Sequence, residues 1–451
     1  MEIRLSDHFT YKKLYRFVLP SIFMMVFISI YGVVDGLFVS NFVGKTAFAS
    51  INLVMPFIMV LGGMGFMIGT GGTALVAKTL GEGDKKKANR YFSMMVIFTV
   101  SLGAALTAIG IIFIRPISYF LGATESMIND CVTYGTVIIA FTTSFMLQNL
   151  FQNFLVTAEK PKLGLLSTVF AGVTNMLLDA LFIAVLGWGV LGAAFATGIS
   201  QLVGALIPFV YFLRGKNGPL KFSLARLELR PIVRACANGS SELMSNISSS
   251  VVSMLYNFQL MKHIGEDGVS AYGVLMYVQF VFIAIFIGYV IGCAPIIGYN
   301  YGADNRKEMQ NIFTKSVISV GIGGIVLACL AAMLSRPLSM IFVGYDESLL
   351  KLTESAFLIA SISFIFAGFN IFSSSLFTAL NNGLISAVIS FLRTLLFQTL
   401  CIIILPIILG TEGIWWSITV AEIFAFIISL IFVISKNKRY HYIPVTADRV
   451  K

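Results

Sequence analysis

Long apolar runs alternate with short polar stretches along the whole of this 451-residue chain. A helix that crosses a bilayer needs about 20 mostly apolar residues. The pattern supplies twelve such runs: 15–41, 48–77, 91–114, 131–156, 163–186, 191–213, 232–260, 269–299, 310–334, 352–379, 385–408 and 414–435. It predicts an all-α polytopic membrane protein of twelve transmembrane helices. Met1 to Arg16 is polar, and the run after it has no small-residue cleavage site. That first run is therefore expected to stay as a span and not to be removed as a signal peptide.

The pattern also repeats. Val43-Gly44 matches Ile264-Gly265, Arg115-Pro116 matches Arg336-Pro337, and Gly192 matches Gly413, each 221 residues apart. The polar stretch Gly81 to Lys86 matches Gly302 to Lys307 at the same offset, and Gly122 to Ser126 resembles Gly344 to Ser348 one residue later. Six spans separate equivalent points. An even number makes both halves cross in the same sense, so two six-helix lobes are expected about a pseudo-two-fold axis along the membrane normal. The expected divisions are an N-terminal lobe, 1–213, a cytoplasmic linker, 214–230, a C-terminal lobe, 231–435, and a cytoplasmic tail, 436–451.

Composition agrees. Hydrophobic residues make up 57% of the chain and charged ones 12%, against about 25% charged in a soluble domain. The net charge of +10 invites a nucleic-acid reading. The basic residues, however, sit in short loops between apolar runs and form no soluble basic face. With the N-terminus placed inside, 25 Lys and Arg fall in inner segments, 5 in outer ones, and Arg393 alone within a span. That asymmetry predicts cytoplasmic N- and C-termini. The five cysteines have no metal-ligand spacing and read as small buried apolar residues.

More than five residues from either end, the runs hold few charges: Asp35, Asp179, Glu242, Arg393 and Glu422. A charge at the bilayer centre costs about 2.5–3.5 kcal/mol on insertion scales, so each needs a partner or a task. Asp35 lies nine residues before Gly44, Asp179 eight before Gly187, and Thr197 eight after Gly189. At 1.5 Å per residue all three sit about 12–14 Å below the outer surface. Asn175 precedes Asp179 by one turn and shares its helix face. Three segments thus bring oxygen ligands to one level of one lobe, as a small hard cation such as Na⁺ or a shared proton requires. Out of water, desolvation and mutual repulsion both disfavour the doubly charged pair without a cation between its members. The repeat counterparts, Tyr256 for Asp35 and Leu400 or Cys401 for Asp179, are uncharged. A single coupling-ion site in the N-terminal lobe is therefore expected.

Glu242 and Arg393 lie at similar depths from the inner face and form a candidate structural ion pair, with Glu242 alternatively facing a substrate cleft. Gln148, Asn149, Gln152 and Asn153 share one stripe of the fourth helix, and Tyr277 and Gln279 are placed similarly on the eighth. Such polar groups either join helices or line the cleft. Glu422 has no sequence-evident partner. No catalytic constellation and no ATP-binding element occur, so no cofactor is expected and transport would run on an ion gradient.

The segment Val33 to Val39, the loop Gly81 to Arg90, Asn175-x-x-x-Asp179 with Thr197, Pro295 to Ala303, and Arg393 with Pro406 together resemble the multidrug and toxic compound extrusion (MATE) family, bacterial branch, over essentially the whole chain. The resemblance implies antiport of amphipathic organic cations against Na⁺ or H⁺, with Asp35, Asn175, Asp179 and Thr197 holding the ion, in a monomer. The chain departs from the family pattern at Asn238 to Glu242, where many relatives carry a proline. A lipid-linked saccharide flippase of similar layout is the alternative. It would need a strongly basic cleft, and Arg393 is the one cation within a span. A non-transporting membrane enzyme or receptor lacks the chemistry.

Overall fold

The structure, a computed structural model, describes residues 3–215 and 218–444, apart from the side chains of Val33, Leu37, Ser40, Asn41 and Lys45. Two residues of the expected linker, 216–217, and the end of the expected tail, 445–451, lie outside the described residues. Twelve helical rods run up and down. The first lobe holds α1 (Tyr11–Phe42), α2 (Lys45–Gly81), α3 (Lys85–Phe120), α4 (Ile128–Ala140 with Thr142–Thr157), α5 (Pro161–Asp179, continued by the π-helical Ala180–Val185) and α6 (Gly189–Arg214). The second holds α7 (Leu229–His263), α8 (Glu266–Gly302), α9 (Arg306–Val343), α10 (Glu347–Ser361 with Phe364–Ala379), α11 (Gly383–Phe391, π-helical Leu392–Leu396, then Phe397–Leu409) and α12 (Thr411–Tyr440). No strand occurs among the described residues.

The rods outlast the apolar runs because polar caps carry them into the interface. Asp84 accepts the Lys87 amide at 2.9 Å to start α3, and Asn305 accepts that of Glu308 at 3.2 Å to start α9. These caps are repeat equivalents. So are the breaks in α4 at Phe141 and in α10 at Ile362-Ser363, which bend those rods by 52° and 48°. The sequence pattern alone predicts straight spans at both places. Polar hydroxyls compete there with the helix ladder: Ser363 donates to the Ala360 carbonyl at 2.6 Å.

Among the described residues nine rods are individually long and apolar enough to cross a membrane, and eleven if each bent pair is one span. The rod left over is α7. It is 35 residues long but rich in Ser and Asn. Such a helix suits a position between protein neighbours better than one in lipid.

The lobes meet where α2 packs on α7 and α8, and α1 on α8. A Cβ on Gly81 would fall 2.0 Å from the Tyr299 carbonyl oxygen, and one on Gly302 would fall 2.0 Å from that of Lys78. Exchanging the lobes, 221 residues apart, maps this contact onto itself, so the pseudo-two-fold axis runs through it. Gly71 and Gly239 permit a second backbone approach, with 1.9 Å from a Cβ on either to the oxygen of Ala235 or Met67. All these contacts lie towards the face that carries both chain ends and the basic loops. At the other ends of the same helices, a Cβ on Gly32 or Gly273 would meet nothing within 4 Å. The lobes are therefore sealed at the basic face and diverge at the opposite one.

The N-terminal segment straps the sealed face. Leu5 and Phe9 are buried with Ile296, Met309 and Phe313 of the second lobe. The Leu5 amide donates to Glu159 of the first lobe at 2.8 Å, and the Phe9 amide to Glu308 of the second at 2.9 Å. The linker is pinned to α3, with the Lys221 amide on Asn89 and the Ser223 amide on Ser93, both at 2.9 Å.

Candidate cation site in the N-terminal lobe

Asp35 on α1 and Asp179 on α5 face each other within the first lobe, their carboxyl groups within hydrogen-bonding reach. The Asn175 side chain, one turn before Asp179, reaches Asp35 as well. α1 comes this close to α5 because Gly172 receives the rings of Phe27 and Tyr31; a Cβ there would lie 2.5 Å from Phe27. Asp179 ends the regular part of α5, and the next six residues form the wider π turn. π-bulges of this kind are frequent at functional sites.

Thr197 of α6 lies beside the Tyr134 hydroxyl of α4, which in turn is near enough to feel the charges of Asp35 and Asp179. Four rods thus converge on one point. Asp179 and Asn175 are fully buried. Asp35 Oδ1, Asn175 Oδ1, both carboxylate oxygens of Asp179 and Thr197 Oγ1 are buried without a hydrogen bond of ordinary geometry. Buried oxygens in that condition cost about 1–3 kcal/mol each. No Lys, Arg or His among the described residues bonds either carboxylate. The donor set, two carboxylates, an amide oxygen and a hydroxyl, fits a hard monovalent cation, and the carboxylate pair fits a shared proton.

Three neighbours escaped the sequence reading. Tyr31 lies one turn before Asp35, close enough for the carboxylate to act on its hydroxyl. Gln201 lies one turn after Thr197, and its buried Oε1 is unpartnered. The i, i+4 spacing to a named site residue was the available signal for both. Tyr134 had none, because nothing in the sequence says which face of α4 looks inward.

The second lobe differs. Arg393 bonds Glu422 through Nε, 2.9 Å to Oε1 and 3.0 Å to Oε2. The Asn370 amide donates to Glu422 Oε2 at 2.7 Å. This corrects the expected pairing of Glu242 with Arg393. Glu242 is near enough to feel the guanidinium charge, but the contact belongs to Glu422. Arg393 lies in the π segment of α11, whose wider turn alters the direction in which side chains leave the helix. At the level of the cation site, Tyr256, the counterpart of Asp35, donates to Gln398 at 3.0 Å, a neutral pairing.

The candidate cleft residues separate. Gln152 donates to Thr168 of α5 at 3.2 Å, and Gln148 packs on Gly204 of α6. Both are buried between helices of the first lobe. Asn149 donates to the Gly62 carbonyl of α2 at 3.2 Å. Gln148 and Gln152 therefore join helices and do not line a cleft. The Tyr277 ring lies parallel to Phe342 of its own lobe, centroids 6.5 Å apart, and stays 43% exposed. Gln279 and Glu242 are half-buried.

Residues 20–181 and 243–403 each match the MatE family, and the two stretches are offset as the internal repeat requires. The chain is 25% identical over 429 residues to the multidrug export protein MepA of Staphylococcus saprophyticus, covering 91% of each, and 23% identical over 422 residues to that of Staphylococcus aureus, again 91% of each. Its fold matches a solved structure of a multidrug resistance MATE family transporter of the MOP superfamily in an outward-facing conformation, with TM-score 0.90, 21% identity, and coverage of 96% of this chain and 97% of that one. Its two-lobed bundle and its two family matches thus agree: the chain belongs to the MatE family, whose members are transporters and not enzymes.

Proposed function

We propose that this chain is a secondary antiporter that exports amphipathic organic cations in exchange for Na⁺ or H⁺, with the ion held by Asp35, Asn175, Asp179 and Thr197. The observation that carries the reading is the pair of facing carboxylates with no basic partner and with unsatisfied oxygens around them. The relatives' name, multidrug export protein, supports the direction and kind of cargo. Placing the basic-loop face in the cytoplasm, by the 25 to 5 distribution of Lys and Arg, makes the open face the outer one.

The mechanism is alternating access. With the lobes open outward, an ion entering between Asp35 and Asp179 removes their repulsion and draws α1 towards α5. α1 also packs on α8 across the seam, so this movement changes how the lobes fit. An ion that favours one arrangement over the other shifts the equilibrium by its differential affinity, and no more. The empty-handed return is avoided if cargo and ion favour opposite arrangements. The Arg393 guanidinium, the one cation deep within a span among the described residues, is committed to Glu422, which disfavours the anionic head of a lipid-linked saccharide as cargo.

The test is transport of a fluorescent organic cation in proteoliposomes, with Na⁺ and pH gradients imposed separately. One gradient should drive transport. Asp35→Asn and Asp179→Asn should each weaken the ion response about 10- to 100-fold, as expected for losing a charged hydrogen-bonding partner of about 1.5–3 kcal/mol. Full ion-driven transport in both variants, made at normal levels, would sink the proposal.

A further inference from the structure

A cavity of about 440 Å³ opens on the divergent face of the first lobe, away from the seam. Gly44, Thr46, Asp130, Thr133, Trp188 and Val190 are among its walls. We propose that this cavity is an outer vestibule through which the coupling cation reaches the Asp35–Asp179 pair from within the lobe, separately from the cleft that carries the organic substrate. The inference rests on the cation-site reading above.

The walls belong to the helices that hold the site. Gly44 follows α1, which carries Asp35. Trp188 joins α5, which carries Asp179, to α6, which carries Thr197. Asp130 and Thr133 precede Tyr134 on α4. Vestibule and site are therefore built on the same four helices. From Val190 to Thr197 is seven residues, about 10 Å along α6. The layer between is thin: Val39, Ile183 and Val190 are buried aliphatics, and the Tyr134 ring is buried among them. Tyr134 is buried in that layer: its hydroxyl lies beside Thr197, and the residue before it, Thr133, lines the cavity. A small rotation of this ring would join the two compartments.

Asp130 supplies the selectivity of the mouth. A carboxylate in the wall of a concave low-dielectric surface raises the local concentration of cations. Thr46 and Thr133 add neutral oxygens. The chemistry suits a hydrated monovalent cation or a proton carried on water, and the inter-lobe opening is left to the amphipathic cargo.

Fill the vestibule with Thr133→Trp and remove its charge with Asp130→Asn, then follow ion-driven efflux and equilibrium binding of the fluorescent cation. Thr133→Trp should cut the ion-driven rate about 10-fold and leave cation binding without the ion within twofold. Asp130→Asn should raise the half-saturating outer ion concentration about threefold at low ionic strength, with the difference shrinking as inert salt rises. Running Na⁺ at fixed pH and a pH gradient without Na⁺ as separate arms identifies which ion the vestibule admits. Should Thr133→Trp not fold, Thr133→Cys in a Cys329→Ala background, treated after reconstitution with small and large thiol reagents, gives the same reading through dependence on reagent size. An unchanged ion response in the plugged protein overturns the vestibule while Asp179→Asn still weakens that response. If Asp179→Asn also keeps the response, the cation-site reading itself falls.

Discussion

Glu422 in the second lobe takes two bonds from Arg393 and one from Asn370, whereas Asp35 and Asp179 in the first face each other with no basic side chain between them among the described residues. Both groups sit beside a π segment in the equivalent helix of a shared scaffold. The second lobe carries its counter-ion in the sequence. The first has oxygen groups alone and, on the function proposed above, takes its positive charge from solution. An acid with a covalently supplied partner is a fixed part of the structure. An acid whose partner exchanges can report which side of the membrane that partner came from.

The sharpest way to break this contrast is to give the first lobe a resident cation. Asn175→Lys should place an ammonium against Asp35 and Asp179 and abolish the ion response, while thermal stability in detergent stays near that of the parent. A variant that still answers to the ion gradient with unchanged half-saturation would show that the pair is not the sensor. The converse change is Arg393→Ala, which strands a buried carboxylate. Breaking a buried pair costs about 3–5 kcal/mol, so the protein should melt far earlier, yet its surviving folded fraction should keep the parent ion affinity. If ion affinity falls in step with stability, the lobes are not as independent as the contrast requires. The smallest effect belongs to Tyr256→Phe, which removes the neutral bond to Gln398. A loss of about 0.5–1.5 kcal/mol in unfolding free energy is expected, with transport unaltered. A strong transport defect there would reveal a second functional level in the second lobe.

The rods, the repeat and the acid pair were legible in the sequence because each depends on position along the chain. Depth below the surface follows from counting residues, and that count brought Asp35, Asp179 and Thr197 to one level before any coordinates. Azimuth is harder. Glu242 and Arg393 share a depth, but the π turn at Leu392–Leu396 changes the helical phase, and a shift of one residue turns a side chain by roughly 100°. Sequence spacing could not show that Arg393 points at Glu422. The same blindness left Gln148 and Gln152 undecided between cleft and packing. Composition did not foretell the bends in α4 and α10 either, since a local hydroxyl competes with the ladder only where tertiary packing lets it.

The polar rod α7 has a consequence for biosynthesis. Ser, Asn and Glu242 along Leu229–His263 leave it short of the hydropathy that the other rods reach, so a ribosome delivering it alone would find lipid a poor host. Its welcome comes from α2, already in place from the first lobe, and from α11, made more than a hundred residues later. The junction of the two halves is thus the step in assembly most dependent on companions, and the place where a truncated or circularly permuted chain should first lose its topology.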